Sequence, residues 1–278
     1  KRDDIEGIIV SPVSTIDFCA DQDFIDLLTD NGIKLFMMPE ELEWDGVSPI
    51  GSGNMPHQVD VEELLPRKQI LIDMDAIAGG LNGKTILITG SAGSIGSEMV
   101  RQIANFNPKR LVLIDQAETP QHDVRLMMAE KWQNVECHTI VASICSHKYM
   151  ERIFEKYRPD YVFHAAAYKH VPMMEDNPSE SIRNNIIGTK YIADLAVKYG
   201  SVKFVMISTD KAVNPTNVMG CSKRICEIYV QSLDQAIKEG NVKGVTQFVT
   251  TRFGNVLGSN GSVIPLFREQ IKKGGPVT

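Results

Sequence analysis

The sequence predicts a doubly wound α/β domain built on a parallel sheet, preceded by the remnant of another α/β domain. Three observations lead there. Apolar strand-like runs alternate with helical stretches from Gly83 onward, a glycine turn follows the first run, and an aspartate closes the second.

Gly7-Ile8-Ile9-Val10 is a short apolar run of the buried-strand kind. Ser14 or Thr15 is placed to cap a helix carrying Phe18, Ile25, Leu27 and Leu28, which Asn31-Gly32 ends. Ile33 to Met38 forms a second apolar run, stopped by Pro39. Residues 1–50 therefore read as the C-terminal part of an upstream domain. Pro, Gly, Asn and Glu crowd residues 39–70, and a linker or arm is expected over 51–80. The main domain takes 81–278. Its strands are expected at Thr85–Thr89, Leu111–Asp115, Val135–Val141, Tyr161–Phe163 and Lys203–Ile207. Helices are expected from the glycine turn through Ile103, over His147–Tyr157 and over Ile182–Tyr199.

The 278 residues suffice for one large or two modest cores, and 43% hydrophobic with 23% charged residues is ordinary for a soluble globular chain. A net charge of -6 without a Lys/Arg block argues against nucleic acid as a partner. An anionic nucleotide still fits, because helix N-termini bind anions locally. Cys19, Cys137, Cys145, Cys221 and Cys226 show no C-x-x-C spacing, so neither a disulfide framework nor a metal site is expected. No apolar run is long enough to span a bilayer, so this stretch is expected to make no membrane contact.

The turn after the first main strand reads Gly90-Ser91-Ala92-Gly93-Ser94-Ile95-Gly96. Gly90 permits the tight turn, Gly93 lets the backbone approach a pyrophosphate, and Gly96 allows helix and strand to pack closely. Ser91, Ser94 and Ile95 share that turn, and the helix starting there offers N–H groups and a positive dipole end. Asp115 follows about 20 residues beyond, where an adenosine ribose carboxylate belongs. A dinucleotide-binding Rossmann site is therefore expected. A carboxylate there accepts from the ribose 2′-OH and repels a 2′-phosphate, which favours NAD over NADP. The plainer reading of Asp115 is a turn residue.

Beyond the fifth strand stands Ser208-Thr209-Asp210-Lys211-Ala212-Val213-Asn214-Pro215-Thr216-Asn217, then Met219 and Lys223 on one helical face. An Asp-Lys pair at the carboxyl end of a strand lies where ligands bind in such sheets, although an exposed salt-bridged turn is the plainer alternative. His164, inside an apolar strand end, reads as a satisfied core histidine.

These segments resemble the extended short-chain dehydrogenase/reductase family. More narrowly, they are similar to the polysaccharide-biosynthesis (CapD-like) branch of UDP-N-acetylglucosamine 4,6-dehydratases. The resemblance rests on Thr89 to Glu98, Phe163 to Pro172, Asn185-Ile186-Ile187-Gly188-Thr189, Ser208 to Lys223 and Arg252 to Gly258. It implies Lys211 as the base at sugar C5, Asp210 as the acid for the departing C6 hydroxyl, and Thr209 at the C4 hydroxyl. It places Lys223 on the nicotinamide ribose and Ala165 and Ala166 beside the cofactor. Lys169, His170, Asn185, Arg252 and Asn255 then fall on the substrate side, Arg252 with the geometry for a diphosphate. Met219 stands where most relatives carry a Tyr and cannot accept a proton, which marks a subtype. Ser143 stands where relatives usually place an Asp near the adenine.

A nucleotide-sugar 4-epimerase and a non-catalytic NAD-binding module remain open beside the dehydratase. The resemblance further implies a UDP-sugar substrate, a homo-oligomer and a C-terminal sugar-binding lobe only begun here. It also implies a longer protein anchored in the bacterial inner membrane, with this part on the cytoplasmic side.

Overall fold

The computed structural model describes residues 7–10, 24, 27–28, 33–37, 57–58 and 73–254, with single positions 256, 267, 270, 274 and 276. The chain divides into two compact units, Lys1–Ile72 and Asp73–Thr278.

In the first unit, strand β1 (Gly7–Val10) pairs in parallel with β2 (Lys34–Met37), and β2 pairs antiparallel with β3 (His57–Gln58). Phe24, Leu27 and Leu28 are helical, and Leu28 is buried. This is the strand–helix–strand order that the apolar runs predict. The proposed cap at Ser14 or Thr15 lies outside the described residues.

Part of the stretch expected as a linker is ordered. Helix α1 (Met74–Leu81) starts at Asp73, whose side chain accepts from Ala76 N at 2.9 Å. Ile77 and Leu81 anchor it in an apolar cluster of the second unit. Gly79-Gly80 disguises the helix in the sequence, since glycine is a poor helix former.

The second unit is a six-stranded sheet. Its strands are β4 (Thr85–Thr89), β5 (Arg110–Asp115), β6 (Glu136–Val141), β7 (Tyr161–His164), β8 (Lys203–Thr209) and β9 (Gln247–Phe253). The spatial order is β6-β5-β4-β7-β8-β9 and all pairings are parallel. This is the Rossmann order, with its switch point between β4 and β7. The parallel strands put both faces in contact with helices, and side chains alternate between them. Leu87, Val112, Ile114, Val162, Phe204 and Met206 join one cluster, which takes in α4 (His147–Tyr157), α6 (Thr189–Lys198) and α7 (Val218–Lys238). Ile86, Ile88, Leu111 and Leu113 join the other, against α2 (Ser94–Ala104) and α3 (Glu118–Lys131). The short helix α5 (Val171–Asp176) follows β7.

One expected helix has a different winding. Ser181–Gly188 is a π-helix, and only Thr189–Lys198 is α-helical. Wide turns of this kind re-aim side chains and cluster at functional sites. The winding turns Asn184 and Asn185 inward, and Gly188 packs where a Cβ would stand 2.6 Å from Ile144 Cδ1. No helix among the described residues is long and apolar enough to cross a membrane.

Leu113 is fully buried in the sheet centre. Leu113→Ala is expected to destabilise the fold by about 2–5 kcal/mol, read as a lower urea midpoint with an unchanged slope.

Candidate functional site

The carboxyl ends of β4, β5, β6 and β7 open onto one cleft, of about 130 Å³. Its lining includes Gly90, Gly93, Asp115, Gln116, Ser143, Ala165 and Asn184.

The glycine turn is built by exclusion. Gly90 has φ of 70°, and a Cβ there would lie 2.6 Å from Ala166 N. A Cβ on Gly96 would lie 2.0 Å from Gly90 O. Both positions therefore require glycine, the first for its conformation as well. At Gly93 the nearest atom to a Cβ is Gly90 O at 3.4 Å, so its lack of a side chain leaves the approach from the cleft clear.

Most N–H groups of the turn are already used. Gly90 N and Ser91 N donate to Ile114 O, Gly93 N to Gly90 O, and Ala92 N to Asp115 Oδ2 at 3.0 Å. The first intrahelical bond of α2 runs from Ser97 N to Gly93 O. Ile95 and Gly96 lie in the first turn, where helix geometry provides no intrahelical acceptor for N–H. Their amides face the direction where a phosphate is stabilised.

Two of the expected cofactor residues act differently from the sequence reading. Ser91 is fully buried, and its hydroxyl donates to Gln121 Oε1 at 2.8 Å. Gln121 in turn donates to Leu113 O, so Ser91 ties the turn to the core and presents no side chain to the cleft. Asp115 lines the cleft and also braces it, accepting from Ala92 N and from Ala117 N at 2.9 Å. A carboxylate has about four lone-pair positions, so two remain for a ribose hydroxyl.

His164 is fully buried and bonded at both ring nitrogens, to Thr89 Oγ1 at 2.7 Å and Thr189 Oγ1 at 2.8 Å. Burial, with the nearby charge of Lys223, pushes its pKa down to about 3. It is the satisfied neutral core histidine that its apolar setting indicates.

Asn185 is also fully buried. Its side chain accepts from Tyr168 N, donates to Tyr168 O and donates to Ser222 Oγ, all at 2.8–3.0 Å. The carboxamide is thus spent inside the protein, holding the segment after β7 against the start of α7. Lys169 and His170 follow as exposed residues leading into α5.

Two strands along from the glycine turn, roughly 10 Å away at ordinary strand spacing, β8 ends in the Thr209-Asp210-Lys211 turn. Asp210 Oδ1 accepts from Thr209 Oγ1 and Lys211 N at 2.8 Å and from Lys211 Nζ at 3.2 Å. The Thr209 hydroxyl, with Lys211 beside it, holds the Asp210 carboxyl below its ordinary range. Both members of the ion pair are about half exposed, so they are open to a ligand.

Helix α7 closes on this turn. A Cβ on Gly220 would lie 2.3 Å from Lys211 O. Asn217 caps the helix through Gly220 N, and Glu175 accepts from Val218 N. Met219 is buried in the first turn of α7. Lys223, one turn on, is 5% exposed, and among the described residues no group accepts a hydrogen bond from its ammonium. Burial pulls its pKa down. A buried ammonium without a hydrogen-bond acceptor is costly in a resting fold and is the expected mark of a group awaiting one.

Arg252, on β9, pairs side-on with the buried Glu227 of α7, through Nε at 2.8 Å and Nη2 at 2.7 Å. Asn255 lies outside the described residues. Sequence reading missed Gly220, Glu227, Gln116 and Asn184. Glu227 is one helical turn beyond Lys223, and Gln116 adjoins Asp115, so spacing alone gave a signal for both.

A dinucleotide fits this surface: a turn without side chains, a helix N-terminus, a ribose carboxylate and a buried lysine share one sheet edge. The class is that of a Rossmann dinucleotide-binding domain with an exposed Asp–Lys ion pair at the same sheet edge. The family model for polysaccharide biosynthesis proteins matches residues 86–278. The chain belongs to that family.

It is 46% identical over 252 residues to the capsular polysaccharide biosynthesis protein CapD of Staphylococcus aureus, covering 89% of this chain and 40% of that protein. An inverting UDP-N-acetylglucosamine 4,6-dehydratase of Campylobacter jejuni is 35% identical over 71% of the chain and 57% of its own length. A UDP-glucose 4-epimerase of Rickettsia canadensis is also 35% identical, over 70% and 55%. The chain thus spans about two-fifths to three-fifths of these relatives. Among solved structures, Pen from Bacillus thuringiensis has a TM-score of 0.63 at 33% identity, covering 69% of this chain and 58% of that one. A Thermus thermophilus UDP-glucose 4-epimerase in complex with NAD shares the fold, with a TM-score of 0.56 at 24% identity over 69% and 64%.

Two outcomes follow from this geometry. Gly96→Ala is expected to abolish NAD binding measured by calorimetry, because its methyl group collides with Gly90 O. The second concerns acid. Unfolded His164 takes a proton near pH 6.5, whereas the folded residue resists until about 3. The stability it contributes is complete above 6.5 and falls as pH drops towards 3, by about 2 kcal/mol between pH 6.5 and 5. Urea midpoints across that range should show the fall, and His164→Gln should flatten it while lowering stability at pH 7.5.

Proposed function

We propose that this chain is the cofactor-binding and catalytic part of an NAD-dependent nucleotide-sugar 4,6-dehydratase, with UDP-N-acetylglucosamine as its substrate. The observation that carries the reading is the Asp210–Lys211 pair at the carboxyl edge of the sheet, beside a helix that bears Met219 in place of a phenolic base. Similarity to the Campylobacter dehydratase supports it.

Gly90, Gly93, the first turn of α2, Asp115 and Lys223 would hold NAD, which supplies a hydride acceptor and donor when bound. Removal of the C4 hydrogen as hydride, together with the C4 hydroxyl proton, leaves a 4-ketone that acidifies C5. Water is then lost across C5–C6, and that step needs a base for the C5 proton and an acid for the C6 hydroxyl. Lys211 takes the first role and Asp210 the second, and return of the hydride to C6 with a proton from Lys211 to C5 completes the 4-keto-6-deoxy sugar.

The resting pair is ionic, which is the opposite protonation from the one required. Moving one proton from Lys211 Nζ to Asp210 Oδ1 along their 3.2 Å contact gives a neutral amine and a carboxylic acid without changing total charge. A sugar ring seated over the pair strips water from it, and desolvation favours the neutral form. Thr209, whose hydroxyl bonds Asp210, is placed to receive the C4 hydroxyl. Lys223 contributes positive potential from below.

An epimerase is the second reading, favoured by the equal identity to the Rickettsia enzyme. Both reactions begin by removing the C4 hydroxyl proton, which a thioether cannot accept, so the difference lies in the Asp–Lys pair, to which an epimerase gives no work. Incubation with UDP-N-acetylglucosamine and mass spectrometry of the sugar separates the two. We expect a product lighter by one water, absent in Lys211→Ala. A product of unchanged mass with altered C4 configuration would replace the dehydratase with the epimerase.

A further inference from the structure

Glu227 is a fully buried carboxylate that neither the cofactor cleft nor the Asp210–Lys211 pair uses. Both of its oxygens are occupied by guanidinium groups, Arg252 Nε on Oε1 and Arg252 Nη2 with Arg224 Nη1 on Oε2. Two guanidinium groups, those of Arg224 and Arg252, therefore share one carboxylate, and the group keeps an excess of positive charge. Ser208, buried on β8, is paired in register with Arg252. Thr209 ends that strand and Asp210 and Lys211 form the turn after it, so the cluster adjoins the Asp–Lys pair.

The side-on pairing decides how Arg252 can act. Nε and Nη2 are consumed by Glu227, which fixes the guanidinium plane and leaves Nη1 without a bond among the described residues. The Arg252 side chain stays 41% exposed while its partner is fully covered. A planar cation held from its inner edge presents its outer edge in one orientation, a task lysine cannot perform. Arg224, itself 39% exposed, adds a second cation on the same carboxylate.

We propose that Glu227 is a positioning residue, acting through Arg252 to hold a guanidinium edge for the diphosphate of the nucleotide sugar. This rests on the reading of Arg252 as the anion anchor of a nucleotide-sugar enzyme. Pairing before the substrate arrives removes the cost of ordering a long side chain upon binding. The excess positive charge of the cluster then remains for the ligand.

The experiment compares UDP with uridine as probes, with NAD binding and melting temperature as checks on folding. Glu227→Gln keeps the shape and removes the charge. It is expected to weaken UDP at least about tenfold while uridine and NAD change little. Arg252→Ala should give the same selective loss, and the double variant should lose no more than the worse single one. Arg252→Lys, which keeps charge and loses the side-on geometry, should resemble Arg252→Ala. Equal weakening of UDP and uridine in Glu227→Gln, or additive losses in the double variant, would overturn the positioning role. Loss of UDP in Arg252→Ala with none in Glu227→Gln would overturn it too, while sparing Arg252 as the anchor. If Arg252→Ala leaves UDP binding intact, the anchor reading itself falls.

Discussion

Everything at this site depends on one close approach, the packing of the glycine turn against the backbone after β7. Gly90 lies where a Cβ would meet Ala165 and Ala166, and Gly96 lies where a Cβ would meet Gly90. Because backbone touches backbone, the first turn of α2 reaches the switch point of the sheet, where neighbouring strands lead their chains in opposite directions. The cleft follows from that approach. Asp115 and Ser91 then fasten the turn, one by its carboxylate and the other through Gln121, so the phosphate-facing surface is set before any ligand arrives.

A second layer of buried polar groups supports the chemistry. His164 bridges Thr89 and Thr189, and Asn185 ties Tyr168 to Ser222. Glu227 ties Arg252 to α7. Burial raises the Glu227 pKa, yet the hydrogen bonds and charges around it prevail and bring it to about 2. Each bridge spans two or three elements around the carboxyl edge. Lys223 differs, being buried with no hydrogen-bonding partner among the described residues. A buried ammonium without an acceptor is costly, and that gap points to a ligand-facing role.

Much of the architecture was legible beforehand. Buried parallel strands have almost no polar alternation, so β4 and β5 stand out as continuous apolar runs. The helix of Glu118–Lys131 was missed because its surface positions are mostly polar and only Gln121, Val124 and Met128 are buried. Strand β9 was missed for a related reason. As the last strand of the sheet among the described residues it buries little, and its Thr250-Thr251-Arg252 run carries no continuous apolar signal. The π-winding of Ser181–Gly188 has no periodicity that separates it from an α-helix over so short a span.

The residues of the site divide along a physical line. Local sequence determined the turn glycines, the strand-end aspartate and the Asp210–Lys211 pair, because each acts through backbone conformation or adjacency that a few neighbours dictate. Only the tertiary structure decided the use of polar side chains that were free to turn either way. It sent Ser91 into the core, spent Asn185 on Tyr168 and joined Arg252 to Glu227. Such choices depend on which acceptor lies within about 3 Å after packing, and that distance is set by elements far apart in the chain.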